Sequence, residues 1–203
     1  LPGYVEDAPA GIADFILSNY QQNFLSKEHP ELVEYVQSAV NSNAVFAPIL
    51  GIYVMGSFGS ISQTSASDLD IWICHQDDLS EQDQQRLAEK TKKITQWAST
   101  FHVEMHFYLM TQKRFRNERY SDPLTKENSG SAQYMLLLEE FYRSAVRLSG
   151  KPLLWLHLWV EDEKQYEAEV ARLVAEGELN PNDWVDFGGL GQFSASEYFG
   201  ASL

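Results

Sequence analysis

The sequence predicts an α+β (mixed α/β) fold, in which a small, mostly mixed β-sheet is flanked by helices. Two apolar runs, residues 49–55 and 68–74, have the length of buried strands, and the serine-rich segment between them suits a turn. A third segment, residues 101–109, alternates polar and apolar side chains as a half-buried strand does. Apolar residues at helical spacing occur before, between and after these runs. The sheet is therefore expected in the middle of the chain.

The N-terminal residues 1–45 are predicted to form a helical region. Residues 12–26 carry apolar side chains at helical spacing, namely Ile12, Phe15, Ile16, Tyr20 and Phe24. A second helix is predicted to follow Pro30, because proline is favoured in the first turn of a helix. Its inward side chains would be Leu32, Val33, Val36 and Val40.

The remaining predicted elements belong to two regions, a core region over residues 46–160 and a C-terminal helical segment over residues 161–203. Ser80 and Asp83 form a helix-capping pattern, and Gly177 ends a helical pattern as a glycine often does. Helices are predicted over 80–99, 131–149 and 163–176, a turn with a short helix over 57–67, and a long polar loop over 111–130. Residues 153–160 suit either a strand or a buried turn of helix.

Charge excludes several classes of partner. The 203 residues include 15 basic and 29 acidic side chains, for a net charge of −14. Non-specific binding to nucleic acid requires lysine and arginine to displace counterions, so a polymerase or an RNA-modifying enzyme is disfavoured. An anionic membrane surface is disfavoured for the same reason. A small anionic substrate is still compatible, because bound metal ions and a few local cations can offset the overall charge.

The only cysteine, Cys74, cannot form an internal disulfide and fits a reducing compartment, so a cytoplasmic location is expected. No apolar run reaches the roughly 20 residues of a membrane span, and the first residues lack the order of a signal peptide. The chain has no initiator methionine, and the capping pattern of Ser194 and Glu197 begins a predicted helix within which the sequence stops. A fragment of a longer protein is expected.

Two carboxylates in the second apolar run are the first candidate functional residues. Residues i and i+2 of a strand point to the same face, so Asp68 and Asp70 should project side by side while Leu69, Ile71 and Ile73 face the core. An Asp-x-Asp pair alone is more often a solvated surface feature. In so apolar a strand, however, two unpaired carboxylates are expensive unless a cation joins them.

Two further features strengthen the interpretation as a metal site. Gly56 and Ser57 end the preceding strand, where a turn can offer backbone N–H groups and a hydroxyl to a phosphate. Glu104 lies between Val103 and Met105 in the third predicted strand, and a third carboxylate is what a two-metal site needs to complete its ligands. Hard oxygen ligands favour Mg²⁺ over Zn²⁺.

This arrangement resembles the polymerase-β-like nucleotidyltransferase superfamily, with a hydrophobic-Gly-Ser run, an Asp-hydrophobic-Asp run and a distant strand carrying a carboxylate. The sequence around these motifs is similar to the bacterial class I adenylate cyclases, and the similarity extends over nearly the whole chain. The strongest matches are residues 55–57, 67–76, 136–151 and 197–203. Proteins of that family are several times longer and carry a C-terminal regulatory region, so residues 46–160 would be the nucleotidyltransferase core of an N-terminal catalytic part.

The resemblance implies conversion of ATP into 3′,5′-cyclic AMP and pyrophosphate by two-metal-ion catalysis. Asp68, Asp70 and Glu104 would hold two Mg²⁺ ions, for which Mn²⁺ is an expected substitute, and Gly56 and Ser57 would contact the phosphates. Two alternatives stay open: transfer of a nucleoside monophosphate to a protein or small-molecule hydroxyl, and an inactive nucleotide-binding fragment. The core residues are the same for the cyclase and the transferase, whereas an inactive module would normally have lost one carboxylate, and all three are present here.

Several cationic side chains are weaker candidates for substrate binding. Arg143, Arg147 and Lys151 recur at i, i+4 and i+8 of a predicted helix, where a solvated helix end is the simpler interpretation. The basic residues of the predicted loop could also reach substrate or be merely exposed: Lys113, Arg114, Arg116 and Arg119. His102 and His106 share the predicted face of Glu104, more often the position of polar sheet-face residues than of metal ligands.

Overall fold

The computed structural model describes residues 3–34, 36–37, 47–56, 64, 67–117, 140–158, 160 and 165–189. Its four strands are β1 (Ile49–Met55), β2 (Leu69–His75), β3 (Met105–Met110) and β4 (Val146–Gly150). They form one sheet in the order β3-β2-β1-β4. β2 and β3 run parallel, whereas β1 is antiparallel to both β2 and β4. The sheet is therefore mixed, and the predicted fold class is confirmed.

Helices flank this sheet. They are α1 (Asn19–Glu28), α2 (Glu81–Ser99), α3 (Gln112–Asn117) and α4 (Tyr166–Ala175), with 3₁₀ turns at Pro30–Leu32, Leu154–Leu156 and Pro181–Asp183. Residues 140–144 are also helical. Among the residues that the structure describes, no helix is both long and apolar enough to cross a membrane.

α2 is the crossover that makes β2 and β3 parallel, since parallel neighbours cannot be joined by a tight turn. It begins where the sequence predicts, because the Ser80 hydroxyl oxygen accepts the Asp83 amide at 3.1 Å. Its buried side chains include Leu87, which packs under the sheet with Ile71 and Ile73. The crossover therefore returns the chain so that β3 begins next to the start of β2.

β2 is buried on both faces, and its alternation divides the core in two. Ile71 and Ile73 contact the cluster on the α2 side, as predicted, whereas Trp72 and Cys74 contact a second cluster on the opposite side. The second cluster is aromatic: the Trp72 ring stacks on Phe141 with centroids 4.3 Å apart. Asp70 shares the Trp72 face of β2 and so lies at the end of this aromatic cluster.

The predicted helix over residues 12–26 is wrong in its first half. α1 begins only at Asn19, because Ser18 and Gln21 form a capping box. The preceding residues extend the sheet instead: Ile12 bridges Ile49, and the Ala13 amide donates to the Ile49 carbonyl oxygen at 2.8 Å. Apolar spacing alone could not distinguish a helix from this irregular edge pairing. After Pro30 the structure has a 3₁₀ turn, followed by helical residues 33–34 and 36–37.

The predicted helix over residues 131–149 is also wrong at its end. Residues 140–144 are helical, but residues 146–150 form β4, which pairs with the edge of β1. Gly150 permits the close approach of the two strands, because a Cβ there would lie 2.5 Å from the Leu50 carbonyl oxygen. Arg147 therefore belongs to a strand and not to the helix of Arg143.

Three other predictions can be compared with the structure. Part of the predicted loop 111–130 is the helix α3, whose Phe115 joins the aromatic cluster around Trp72. Within residues 153–160 the structure has a 3₁₀ turn at Leu154–Leu156 with Leu154 buried, and a turn of helix is one of the two options that the sequence left open. The predicted helix over residues 163–176 is confirmed as α4, with Gly177 after its last turn at φ +74°.

A polar network fastens the end of the described chain to α3 and α4. Arg116 in α3 donates to the Asp186 carboxylate, to the Asp186 carbonyl oxygen at 3.2 Å, and to Glu167 of α4 at 3.2 Å. The Tyr166 hydroxyl donates to the second Asp186 oxygen at 2.9 Å. Burial alone would lower the pKa of Arg116, but Asp186, together with Glu167 and Tyr166, outweighs burial and raises that pKa. Arg116 therefore has a structural role.

We expect Arg116→Ala to lower the free energy of unfolding by about 2 kcal/mol. The change leaves the Asp186 carboxylate, only 16% exposed, without its cation, and breaking a buried pair costs about 3–5 kcal/mol, less where water reaches the site. Urea denaturation gives the value. Arg172→Ala is the control, because Arg172 pairs with Glu169 and Glu176 on an exposed helix surface. Equal losses for both variants would contradict the structural role of Arg116.

Candidate active site

The parallel pairing of β2 and β3 brings the predicted carboxylates to one end of these two strands. Asp70 and His106 are partners in the register, and the Leu69 amide donates to the Glu104 carbonyl oxygen at 2.9 Å. Glu104 thus directly precedes β3, rather than lying inside a strand from residue 101 as predicted. The chain turns just before it, where His102 has a φ of +59°.

Asp70 is the half-buried member of the group. Burial raises its pKa, the nearby Asp68 raises it further, and Glu104 adds a smaller effect of the same sign. Tyr108 and His106 oppose the shift. Because each carboxylate disfavours ionisation of Asp70, the structure brings Asp68, Asp70 and Glu104 close enough to interact electrostatically.

Tyr108 is a contact that the sequence prediction missed. Its hydroxyl donates to Asp70 Oδ1 at 3.2 Å. Burial and the Asp70 charge raise the pKa of Tyr108 to about 12, so the hydroxyl stays protonated at neutral pH. The alternation of β3 places Tyr108 on the same face as Glu104, and this could have marked Tyr108 as a candidate site residue. That its hydroxyl contacts Asp70 depends on the register of β2 and β3, which the sequence does not reveal.

Glu104 and His106 form a pair at the exposed side of the group. His106 Nε2 lies 3.2 Å from Glu104 Oε1, and the Glu104 side chain is 72% exposed. Asp68 is exposed as well. A ligand arriving from solvent therefore reaches Asp68 and Glu104 directly, and it reaches the half-buried Asp70 from the side on which these two residues are exposed.

Gly56 forms the turn that ends β1 beside Asp70. Its φ is +87°, a conformation that favours glycine, and a Cβ built there would lie 4.0 Å from Asp70 Oδ2. The Gly56 amide donates to Ser144 Oγ at 2.9 Å, and that hydroxyl donates to the Glu140 carbonyl oxygen at 2.6 Å. Ser144 belongs to no sequence motif, so its contact with Gly56 could not be predicted from the sequence. Ser57 lies outside the described residues.

The donor chemistry of this group fits a divalent cation. Carboxylate oxygens are the hard ligands that Mg²⁺ takes in proteins, and a cation would relieve the repulsion that raises the pKa of Asp70. Within the described part of the chain, however, no three side chains of His, Cys, Asp or Glu are already arranged around one metal position. The three carboxylates share a site without converging on a point.

Two of the basic side chains proposed from the sequence have contacts away from the carboxylates. Arg116 pairs with Asp186. Arg147 lies opposite Tyr53 of β1 and donates to the Gly150 carbonyl oxygen at 3.3 Å. Arg119 lies outside the described residues. Arg116 and Arg147 are thus engaged elsewhere than with the carboxylates.

Comparison with known proteins identifies the family. Residues 1–156 match the family described as the adenylate cyclase NT domain, which is most of the chain. The chain belongs to this family. This match confirms the resemblance to adenylate cyclases that the sequence predicted.

Curated adenylate cyclases match this domain over its whole length. The adenylate cyclase of Haemophilus influenzae is 67% identical, with 100% of this chain and 25% of the relative covered. The Pasteurella multocida enzyme is 60% identical, with 100% and 24% covered. The chain thus spans about a quarter of these relatives. A solved spectinomycin adenyltransferase from Enterococcus faecialis, with ATP and spectinomycin, is 15% identical with a TM-score of 0.40, covering 79% of this chain and 66% of that one.

Proposed function

We propose that this domain carries the catalytic site of an adenylate cyclase, which converts ATP into 3′,5′-cyclic AMP and pyrophosphate. The observation that supports it best is the parallel register of β2 and β3, which brings Asp68, Asp70 and Glu104 to one end of these strands beside the Gly56 turn. These are the residues whose pattern resembles the nucleotidyltransferase superfamily, and they occur in a chain of the adenylate cyclase family.

The carboxylates would hold two Mg²⁺ ions, with Mn²⁺ as a substitute. When bound, the ions supply Lewis-acid stabilisation of charge on the triphosphate. In the reaction, the ATP 3′-oxygen attacks its own α-phosphorus, the bond to the β-phosphate breaks and pyrophosphate leaves. Glu104, exposed beside the group, would accept the proton of the 3′-hydroxyl, and His106 would hold the Glu104 carboxylate in place.

The phosphates would lie against the turn after β1. Gly56 presents no side chain, so the backbone can approach a phosphate closely next to Asp70. Ser57 would donate from its amide and hydroxyl, which is a proposal from the sequence alone. Free, buried Cys74 and the substrate ATP fit a cytoplasmic location. The remaining length of the relatives leaves room for a regulatory C-terminal region.

Product analysis of the full-length protein tests the proposal. Incubation with ATP and Mg²⁺ should yield cyclic AMP and pyrophosphate in equal amounts, separated by chromatography. An adenylylated protein or small molecule in place of cyclic AMP would instead support a nucleotidyltransferase. A folded protein that binds ATP and releases no product would support the inactive module. Either result would overturn the proposal that the protein is an adenylate cyclase.

Gly56→Ala is expected to reduce turnover tenfold or more, while costing about 1–2 kcal/mol of stability. The stability loss comes from a side chain at positive φ, and the loss of turnover from a methyl group placed between the turn and Asp70 Oδ2. Gly177→Ala is the matched control. Gly177 has a φ of +74°, and a Cβ added there would meet no atom within 4 Å, so thermal unfolding should change similarly in both variants and turnover only in Gly56→Ala. Equal turnover would refute a role for Gly56.

A further inference from the structure

We infer that Tyr108 is a positioning residue for the metal site: its hydroxyl fixes the orientation of the Asp70 carboxylate before any cation binds. This inference rests on the proposed function, because it concerns how the same site is prepared. It assigns a role to a side chain that lies outside the motifs of the nucleotidyltransferase pattern.

The two oxygens of Asp70 have different surroundings. Oδ1 accepts the hydrogen bond of Tyr108 at 3.2 Å, whereas Oδ2 is the atom nearest to the open side of Gly56. The terminal torsion of an aspartate has a broad, shallow preference, so an unrestrained carboxylate rotates readily. The Tyr108 hydroxyl selects one orientation, in which Oδ2 is directed toward the turn where the phosphates are proposed to lie.

Tyr108 is itself held firmly, which is required of a group that positions another. It is the register partner of Trp72, and the two rings lie 5.7 Å apart. Trp72 in turn stacks on Phe141 inside the aromatic core. The orientation of Asp70 is therefore tied to a packed core rather than to a loop. Outer contacts of this kind commonly change metal affinity by about 10–100-fold when removed.

Tyr108→Phe in the full-length protein tests the inference, because it removes one oxygen and keeps the ring. Mn²⁺ binding without nucleotide, followed by electron paramagnetic resonance, should weaken by about 10–100-fold. The Mg²⁺ concentration that gives half-maximal turnover should rise by a similar factor, and saturating Mg²⁺ should restore most of kcat. A purely structural defect would not be recovered in this way.

Tyr53→Phe is the matched control. Tyr53 lies on the neighbouring strand, and its hydroxyl donates to the Lys151 carbonyl oxygen at 2.6 Å, so the variant loses a comparable bond away from the carboxylates. Its Mn²⁺ affinity should equal that of the wild type. If the wild-type protein fails to bind Mn²⁺, the proposed metal site itself is refuted. Wild type that binds, together with Tyr108→Phe of unchanged affinity, would overturn the positioning role alone.

Discussion

Asp70→Asn is expected to lower the turnover of the full-length protein about a thousandfold or more. The substitution keeps the shape of the side chain and removes the charge that would bind a cation at the half-buried position of the site. A metal ion contributes several kcal/mol of transition-state stabilisation, and about 1.4 kcal/mol corresponds to a tenfold change in rate. The production of cyclic AMP under saturating ATP and Mg²⁺ measures the loss.

The same substitution is expected to stabilise the fold when metal is absent. Burial and Asp68 raise the pKa of Asp70, so its contribution to stability is fully present below the ordinary carboxyl pKa of about 4 and is lost as pH rises through the raised value. At pH 7 in EDTA the wild type carries this penalty and Asp70→Asn does not. A gain in the free energy of unfolding is expected at pH 7, and none near pH 3.

Two further measurements separate this explanation from a general change in packing. Mg²⁺ or Mn²⁺ should raise the melting temperature of the wild type and leave that of Asp70→Asn nearly unchanged, because only the wild type binds the ion. Asp77→Asn is the control, since Asp77 lies beyond the other end of β2 and accepts the Lys113 amide, a bond that asparagine can keep. Near-normal turnover in Asp70→Asn would refute the assignment of Asp70 as a metal ligand.

The alternation of side chains along β2 and β3 is local information, and the candidate site was predicted from it. Because strand side chains repeat every two residues, Asp68 and Asp70 could be placed on one face and Glu104 on its neighbour. The helix predicted between the two strands is the kind of connection that parallel neighbours need, but their parallel pairing and shared edge appear only in the structure. The structure adds that Glu104 precedes its strand and remains exposed.

Errors occur where the structure depends on distant pairings. Residues 146–150 have the apolar spacing of a helix, but the free edge of β1 pairs with them as β4. Ile12 likewise pairs with Ile49 across a long stretch of chain. The contact between Arg116 and Asp186 joins residues 70 positions apart. No local pattern encodes such partners, so they emerged only with the fold.

Trp72→Ala is expected to lower the free energy of unfolding by about 3–5 kcal/mol, the range for large aromatic residues removed from a core. Trp72 is 1% exposed, and its ring neighbours are Phe141, Tyr108, Phe115 and Phe187. Urea denaturation measures the change. Trp97→Ala is the control, because Trp97 is 46% exposed on α2, and a loss of about 1 kcal/mol or less is expected there.

Trp72→Phe separates the two contributions of this side chain. Among the described residues no acceptor pairs with the buried Trp72 Nε1, and an unpaired buried donor costs about 1–3 kcal/mol. Phenylalanine removes that donor and still supports the Tyr108 ring, so its net loss should be about 1 kcal/mol or less. Mn²⁺ affinity should then be retained in Trp72→Phe and weakened in Trp72→Ala, since only the second leaves Tyr108 without packing. Equal Mn²⁺ affinity in two folded variants would show that the aromatic core stabilises the domain without orienting Asp70.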